Sequence, residues 1–282
     1  MISKEEFNQK MLAFDNHWVG LGRSEDALRE VAAQYHFGQG PGGATALLLL
    51  GESRVGKTHL LERFEAQHPP VVGRERDERP VIKVNAPHQE SPKWLSHHIL
   101  RAMNFPRPEK AASNSLSQDI IRFGRKINTR LIIVDEVHQL VAEKNHKPQE
   151  FRKAVSLLKE ILNDGEISLV LAGTGNASVF SDYNTEFGER VAVHRINPYD
   201  WRISGDRKEF KSYVESVRRK LPLPIAEDVD NGDLALRVFV ASDGYAGRVS
   251  RLLREAAIWA YMRKEEYICR EAFVECFDKS RK

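Results

Sequence analysis

Several features that define other classes of protein are scarce or missing in this sequence. It has only 2 cysteines in 282 residues, Cys269 and Cys276. Their spacing of seven places both on one side of a helix, where thiols usually pack, so we expect neither a disulfide nor a metal site there. No apolar run approaches the roughly 18 residues of a membrane span, and residues 1–6 lack the apolar core of a signal peptide. We therefore expect a cytoplasmic protein with no membrane partner.

A strong excess of one charge is also missing. The chain has 43 lysines and arginines against 40 aspartates and glutamates, a formal net charge of +3. This weak basic excess permits nucleic-acid binding without requiring it. The composition, 41% hydrophobic and 29% charged, is that of a folded globular protein. The length suits one or two domains with a sizeable core.

The strongest positive signal is a phosphate-binding loop between a strand and a helix. Four leucines at positions 47–50 predict a buried strand, which runs into Gly51-x-x-x-x-Gly56-Lys57-Thr58 and then a helical pattern. A turn that merely contains Gly-Lys-Thr is the alternative, but these flanking elements are those that a P-loop requires. Its backbone N–H groups bind phosphates, Lys57 reaches the β- and γ-phosphates of ATP, and the Thr58 hydroxyl binds Mg²⁺. The candidate nucleotide-contacting residues of the loop are Gly51, Glu52, Ser53, Arg54, Val55, Gly56, Lys57, Thr58 and His59.

A second buried strand, at residues 131–134, ends in Asp135-Glu136. Asp135 at the carboxyl end of that strand can hold the Mg²⁺ shell, and Glu136 can orient and deprotonate a water. Burying carboxylates at the end of so apolar a strand costs free energy. We therefore expect both of them to have a functional role. Together with Lys57, this pair predicts an ATPase.

Two further side chains are candidates on physical grounds. Thr174 follows the buried strand at residues 167–172 and could touch the γ-phosphate or its attacking water; a simple turn is the alternative. Arg248 lies in the first turn of a predicted helix, where a cation opposes the helix dipole. A bound phosphate would offset that cost, and a solvated surface arginine is the other interpretation.

Strands and helices alternate up to about residue 199 and only helices follow, which predicts an α/β core and a helical domain. We expect an N-terminal approach segment packing on the core (1–43), a nucleotide-binding core (44–199) and a small helical domain (200–282). The stretch at residues 17–23 could pack on a nucleotide base or belong to the N-terminal core, and no motif assigns base contacts.

The motifs together resemble the AAA+ superfamily and, within it, the transposition regulators TniB and TnsC. The similar segments are the P-loop (51–58), Pro-His-Gln (87–89), Leu-Ile-Ile-Val-Asp-Glu (131–136), Val-Leu-Ala-Gly-Thr (170–174) and Gly-Tyr-Ala-Gly-Arg with the helix after it (244–258). The short chain is similar to small TnsC proteins of CRISPR-associated transposons. The resemblance implies a five-stranded parallel sheet in the order 5-1-4-3-2, an all-helical lid and ATP sites shared between subunits. It implies Arg190 as the arginine finger, with Arg195 as the alternative.

The same resemblance implies partners. It implies ATP-dependent assembly into rings or helical filaments around duplex DNA, and recruitment of a transposase and a TniQ-type target-selection protein. DNA would be bound through its backbone with little sequence preference; for any single cation, a solvated helix face is the alternative. The available cations are Lys93, Arg101, Lys110, Arg122, Arg125 and Lys126.

Two other functions are compatible with the residues. One is a helicase loader or replication initiator resembling IstB or Orc proteins, although no winged-helix pattern follows the helical region. The other is a nucleotide-gated DNA scaffold that binds ATP with negligible hydrolysis; Glu136 favours hydrolysis instead.

Overall fold

The computed structural model describes residues 2–37, 43–73, 77–87, 92–108, 116–141, 148–164, 166–182, 185–230 and 232–281. Lys110, one of the expected DNA-contacting cations, lies outside these ranges, as do positions 88 and 89 of the Pro-His-Gln motif. Contacts divide the chain into two compact units. Unit 2, the sheet unit, contains residues 26–53 and 57–196; unit 1, the helical unit, contains residues 1–25, 54–56 and 197–282.

The sheet unit is built on parallel strands whose residues are almost all buried. The strands of the chain are β1 (Ala46–Leu50), β2 (Val71–Val72), β3 (Asp77–Glu78), β4 (Val81–Asn85), β5 (Leu131–Asp135), β6 (Ser168–Gly173) and β7 (Val191–Arg195). Five of them form one sheet in the order β4-β5-β6-β1-β7, with every neighbouring pair parallel. Every residue of β1, β5 and β6 is buried, as expected of a parallel sheet covered on both faces.

The strand order differs in one detail from the expected numbering 5-1-4-3-2. Strands β2 and β3 form a separate antiparallel pair, in which Val71 lies opposite Glu78. The sequence interpretation missed this pair because its strands are two residues long and largely exposed, so they carry no hydrophobic pattern. They fall between the first and second strands of the large sheet and shift the numbering of every later strand.

Helices account for most of the remaining described residues. They are α1 (Lys4–Asp15), α2 (Gly22–Phe37), α3 (Lys57–Gln67), α4 (Pro92–Ala102), α5 (Leu116–Lys126), α6 (Pro148–Asp164), α7 (Val179–Asp182), α8 (Thr185–Gly188), α9 (Ser204–Arg218), α10 (Leu234–Ser242), α11 (Ala246–Met262) and α12 (Arg270–Arg281). Leu48 and Leu50 of β1 share a core with buried residues of α4, α5 and α6. Within the described ranges, no helix has the length and apolarity of a membrane span.

The helical unit contains α1 and α9 to α12 around a core of its own. Phe7 of α1 stacks on Tyr261 of α11 with ring centroids 4.0 Å apart, and Arg254 Nε donates to Asp15 Oδ1 at 3.0 Å. The domain bounds expected from the sequence stay a prediction; by contacts, residues 1–25 group with the C-terminal helices, and the boundary between the units falls inside α2. The physical reason is that the apolar side of α1 is buried in the helical core.

The two cysteines lie in the helical unit as thiols that are not joined by a disulfide. Cys276 is buried within α12, whereas Cys269 is half-buried and immediately precedes that helix. Cys276 packs in a small apolar cluster with Leu252. It acts as a packing residue of this unit.

Candidate nucleotide-binding site

The parallel register brings the chemically important segments to one edge of the sheet. Leu50, the last residue of β1, pairs with Gly173 of β6 and with Arg195 of β7. Asp135 pairs with Asn85 at the ends of β5 and β4. The loops that follow these strands therefore leave the same carboxyl edge, which is where open α/β sheets bind ligands.

The P-loop adopts a backbone that depends on glycine. Gly56 has φ +106°, in the region open mainly to glycine, and a Cβ built there would meet nothing within 4 Å. Its requirement for glycine is therefore conformational and not steric. Arg54 also has a positive φ, +71°, and α3 begins at Lys57 directly after the loop. The N-terminus of α3 thus has free N–H groups next to the loop, the arrangement that binds phosphate.

Lys57 is buried, only 5% exposed, at the start of α3. Its Nζ donates to the carbonyl oxygens of Gly51 at 2.7 Å and Glu52 at 3.0 Å. Burial lowers the pKa of Lys57, while the charges of Glu136 and Asp135 oppose that shift. A buried ammonium held by carbonyl groups is costly, and phosphate oxygens would be a better partner for it.

Thr58 and Asp135 are in direct contact. The Thr58 hydroxyl donates to Asp135 Oδ2 at 2.8 Å, and Asp135 is 1% exposed. Among the described residues, no group of three or more His, Cys, Asp or Glu side chains forms a metal site. A hydroxyl and one carboxylate are nevertheless the hard oxygen ligands that Mg²⁺ takes alongside phosphate and water. These residues fit Mg²⁺ bound with a nucleotide.

Glu136 has an unusual backbone. Its φ of +56° and ψ of +32° place it in the left-handed region, a conformation that costs a non-glycine residue on the order of 1–3 kcal/mol. Its N–H donates to Asp135 Oδ1 at 2.8 Å, and the 3₁₀ turn Val137–Leu140 follows at once. The turn carries the chain away from the strand, and the Glu136 side chain is 38% exposed.

Thr174 lies at the tip of β6, as expected. It is half-buried and precedes the 3₁₀ turn Gly175–Ser178. Its backbone N–H donates to Nδ1 of His138 at 3.4 Å, and Nε2 of that imidazole is 3.3 Å from Glu136 Oε2. Sequence reasoning missed His138. Its position three residues after Asp135 was the available signal, but only the 3₁₀ turn brings it back to the site.

Arg190 and Arg195 differ in their surroundings. The Arg190 guanidinium donates to Asn163 Oδ1 at 2.5 Å and to the carbonyl oxygens of Ala44 and Leu162 at 2.6 and 3.3 Å. It therefore ties together segments of its own sheet unit. Arg195 is exposed at the carboxyl end of β7, opposite Leu50, the residue that precedes the P-loop.

The Gly-Tyr-Ala-Gly-Arg segment is explained by close backbone approaches inside the helical unit. Gly244 has φ +77°, and a Cβ there would lie 2.1 Å from the carbonyl oxygen of Tyr199. The Gly247 N–H donates to the Arg54 carbonyl at 2.8 Å, and a Cβ on Gly247 would lie 2.8 Å from the same oxygen. Residues 54–56 belong by contacts to this unit. Both glycines are thus required by packing.

Arg248 already has an anionic partner. Its Nη1 donates to Asp243 Oδ2 at 2.8 Å, and its guanidinium lies 4.3 Å from the centroid of the Tyr245 ring. Asp243 offsets the unfavourable position of this cation in the first turn of α11. The position of Arg248 at the start of α11 is therefore explained without a bound phosphate. A nucleotide contact of Arg248 stays a prediction.

The expected DNA-contacting cations lie on two neighbouring helices of the sheet unit. Lys93 and Arg101 are on α4, and Arg122, Arg125 and Lys126 are on α5; all five are exposed. Arg122 Nη2 is 3.4 Å from Asp119 Oδ1, a weak contact. Exposure fits a DNA-binding surface and a solvated helix face equally well.

A parallel sheet with a P-loop after its first strand and acidic residues at the tip of β5 defines a P-loop nucleotide-binding fold. Residues 12–201 match the family model of the bacterial TniB protein. The chain belongs to the TniB family. No curated protein matches it significantly.

Several solved structures have the same fold. The Aeropyrum pernix ORC1 protein in complex with DNA is 22% identical with a TM-score of 0.66, covering 96% of this chain and 68% of that one. The ORC2 protein of the same organism, in ADPNP-ADP complexes, is 15% identical with a TM-score of 0.63, covering 95% and 70%. Cdc6p from Pyrobaculum aerophilum is 15% identical with a TM-score of 0.63, covering 90% and 67%. At these identities the likeness is one of fold.

Proposed function

We propose that this chain is an ATP-dependent, DNA-binding transposition regulator. In this proposal it oligomerises on duplex DNA, as a ring or helical filament, and couples target-site selection to transposase recruitment. ATP hydrolysis controls its assembly, and a TniQ-type protein is the target-selection partner. Membership of the TniB family supports the role in transposition. The observation that carries the nucleotide chemistry is the hydrogen bond between Thr58 and Asp135.

The described side chains suit a defined division of labour. ATP with Mg²⁺ would supply the phosphoryl group and neutralise its developing charge. Lys57 would exchange its carbonyl partners for the β- and γ-phosphates, and Thr58 and Asp135 would hold the Mg²⁺ shell. Glu136 would orient the attacking water and accept its proton. Thr174 would contact the γ-phosphate or that water from the tip of β6.

A neighbouring subunit would complete the site. Because three hydrogen bonds hold Arg190 within its own sheet unit, we favour the exposed Arg195 as the arginine that reaches the next subunit's γ-phosphate. Arg248 could contact the phosphates of its own subunit only by giving up or sharing its partner Asp243. In this assignment the C-terminal helices act as the lid of the nucleotide site.

Exposed cations of α4 and α5 are the proposed DNA-binding residues. Lys93, Arg101, Arg122, Arg125 and Lys126 would neutralise phosphates, which produces little sequence preference and a strong dependence on salt. The structure solved for the ORC1 protein with DNA supports DNA binding by this fold. That observation also keeps open the second candidate function, a helicase loader or initiator.

One experiment separates the proposed regulator from a nucleotide-gated scaffold. ATP consumption is measured with and without duplex DNA, and the same samples are imaged by electron microscopy. DNA-stimulated hydrolysis together with ATP-dependent rings or filaments on DNA supports the proposal. Assembly without hydrolysis identifies a nucleotide-gated scaffold instead. Hydrolysis by monomers that ignore DNA contradicts both.

A further inference from the structure

His138 lies between two groups of the candidate site and has no role in the chemistry described above. It belongs to the 3₁₀ turn Val137–Leu140 that follows Glu136. Its Nδ1 is 3.4 Å from the backbone nitrogen of Thr174, and its Nε2 is 3.3 Å from Glu136 Oε2. One imidazole ring thus links the candidate base to the tip of β6.

The two contacts specify one neutral form of the ring. The Thr174 N–H can only donate, so Nδ1 of His138 accepts and carries no proton. The proton of a neutral imidazole is then on Nε2. That N–H points to the Glu136 carboxylate, which can only accept when ionised. Both contacts are satisfied by the same tautomer.

Backbone structure fixes where the ring can lie. The turn is closed by hydrogen bonds from the Gln139 N–H to the Glu136 carbonyl at 2.9 Å and from the Val141 N–H to the His138 carbonyl at 3.0 Å. Val137 is fully buried beneath it. A Cβ at Gly173 would lie 3.2 Å from the backbone nitrogen of His138. Glycine at the end of β6 therefore allows the turn to approach the strand closely.

The Glu136 side chain is held in place less firmly than the turn that carries His138. It is 38% exposed, against 24% for the side chain of His138. A glutamate side chain this exposed samples several rotamers unless a neighbour selects one. The His138 N–H is that neighbour in the described structure.

We propose that His138 is a positioning residue that ties the Glu136 carboxylate to the backbone at Thr174. The orientation of the candidate base then follows the position of the strand tip beside the γ-phosphate site. This inference rests on the proposed role of Glu136 in hydrolysis. The geometry of the bridge, however, can be tested without it.

Two substitutions separate the two ends of the bridge. In His138→Asn the amide oxygen can replace Nδ1 as acceptor for the Thr174 N–H, but nothing reaches Glu136. In His138→Gln the amide nitrogen can replace Nε2 as donor to Glu136. We expect His138→Asn to lower kcat by about 10- to 100-fold, the range for a misplaced catalytic group, with unchanged ATP affinity. His138→Gln should recover much of that loss.

A readout that needs no hydrolysis tests the bridge in the nucleotide-free protein. The ring nitrogens are observed by ¹⁵N NMR, and the His138 signals are identified among the 10 histidines by their absence in His138→Gln. We expect a protonated Nε2 and an unprotonated Nδ1. Glu136→Gln, which replaces the charged acceptor by a neutral one, should shift the Nε2 signal more than the signals of other histidines.

The outcomes are distinct. An Nδ1-protonated ring, or a His138 signal insensitive to substitution of Glu136, overturns the bridge. This holds whatever ATPase activity is measured. Equal kcat values for the Asn and Gln variants, a higher kcat than wild type, or a parallel loss of ATP affinity overturns the positioning role. If the unaltered protein hydrolyses no ATP while the expected tautomer is observed, the proposed function fails and the bridge stands.

Discussion

Thr58 Oγ1 and Asp135 Oδ2 are 2.8 Å apart although 77 residues separate them in the chain. The contact joins the first residues of α3 to the end of β5, at the carboxyl edge of the sheet. A buried carboxylate, a hydroxyl and the buried ammonium of Lys57 therefore occupy one small region. Its charges are arranged for a triphosphate with a divalent cation.

Lys57→Ala should reduce ATP affinity by about 10- to 100-fold, the equivalent of a lost charge-assisted hydrogen bond, and should abolish nucleotide-dependent assembly. Titration of a fluorescent ATP analogue measures the affinity, and thermal unfolding checks that the variant is folded. Lys153→Ala, at an exposed lysine of α6 paired with Glu150, is the control and should bind normally. ATP-dependent filaments formed by the Lys57 variant would refute this prediction.

Glu136→Gln should keep ATP binding, because Thr58 and Asp135 are unchanged, while hydrolysis falls by about 10²- to 10⁴-fold with the loss of a general base. Oligomers on DNA should then persist long after ATP is added. Asp135→Asn is the matched variant and should instead weaken Mg²⁺-dependent binding. Phosphate release and electron microscopy of time points measure both effects; unchanged turnover in Glu136→Gln would rule out the assignment.

Arg190→Ala should mainly reduce stability, whereas Arg195→Ala should mainly reduce ATP hydrolysis. Loss of the Arg190 contacts should lower the free energy of unfolding by about 1–3 kcal/mol. Arg195→Ala, at an exposed position, should change it by less than about 0.5 kcal/mol and yet depress hydrolysis in assembled samples. Denaturant unfolding and ATPase assays across protein concentration distinguish them. A stable Arg190→Ala protein that binds ATP but hydrolyses it poorly would restore Arg190 as the arginine finger.

Gly247→Ala should destabilise the helical unit by about 1–3 kcal/mol, the usual cost of overpacking, because the added methyl group meets the Arg54 backbone. Gly205→Ala is the control in α9, where a Cβ meets nothing within 4 Å; it should be neutral or slightly stabilising. Denaturant unfolding measures both variants. Equal effects would mean that the contact between Gly247 and Arg54 is unimportant.

Binding to duplex DNA should weaken steeply with salt. Each of Arg122→Ala, Arg125→Ala and Lys126→Ala should reduce the slope of log K against log salt by about 1 if the side chain contacts a phosphate. Arg219→Ala, at the exposed arginine directly after α9 that pairs with Glu215, should leave the slope unchanged. Anisotropy titrations over several salt concentrations give these slopes. Identical slopes for all four variants would place the DNA elsewhere.

Much of this arrangement could be predicted from the sequence because its signals are local. Four buried leucines followed by a glycine-rich turn, and an apolar strand ending in Asp135-Glu136, specify strand ends whose meeting point follows from parallel topology. The contact of Thr58 with Asp135 is a direct result. The five-stranded parallel sheet and the run of helices from α9 to α12 depend on equally plain patterns.

The remainder depends on contacts between distant segments, which periodicity does not encode. Nothing in the local sequence indicates that α1 packs on α11, that Arg190 bonds to the carbonyls of Ala44 and Leu162, or that Asp243 pairs with Arg248. His138 was missed for the same reason. Its partners are selected by a 3₁₀ turn and by a glycine at the end of another strand.

The bond between Gly247 and Arg54 has a consequence for how this family can vary. It joins two backbones, so it is insensitive to which side chain occupies position 54. Position 54 can take any side chain that tolerates its left-handed backbone (φ +71°) without loosening the link, whereas any side chain at position 247 meets the Arg54 backbone. Comparison of natural TniB sequences should therefore find residue 54 variable and residue 247 almost always glycine.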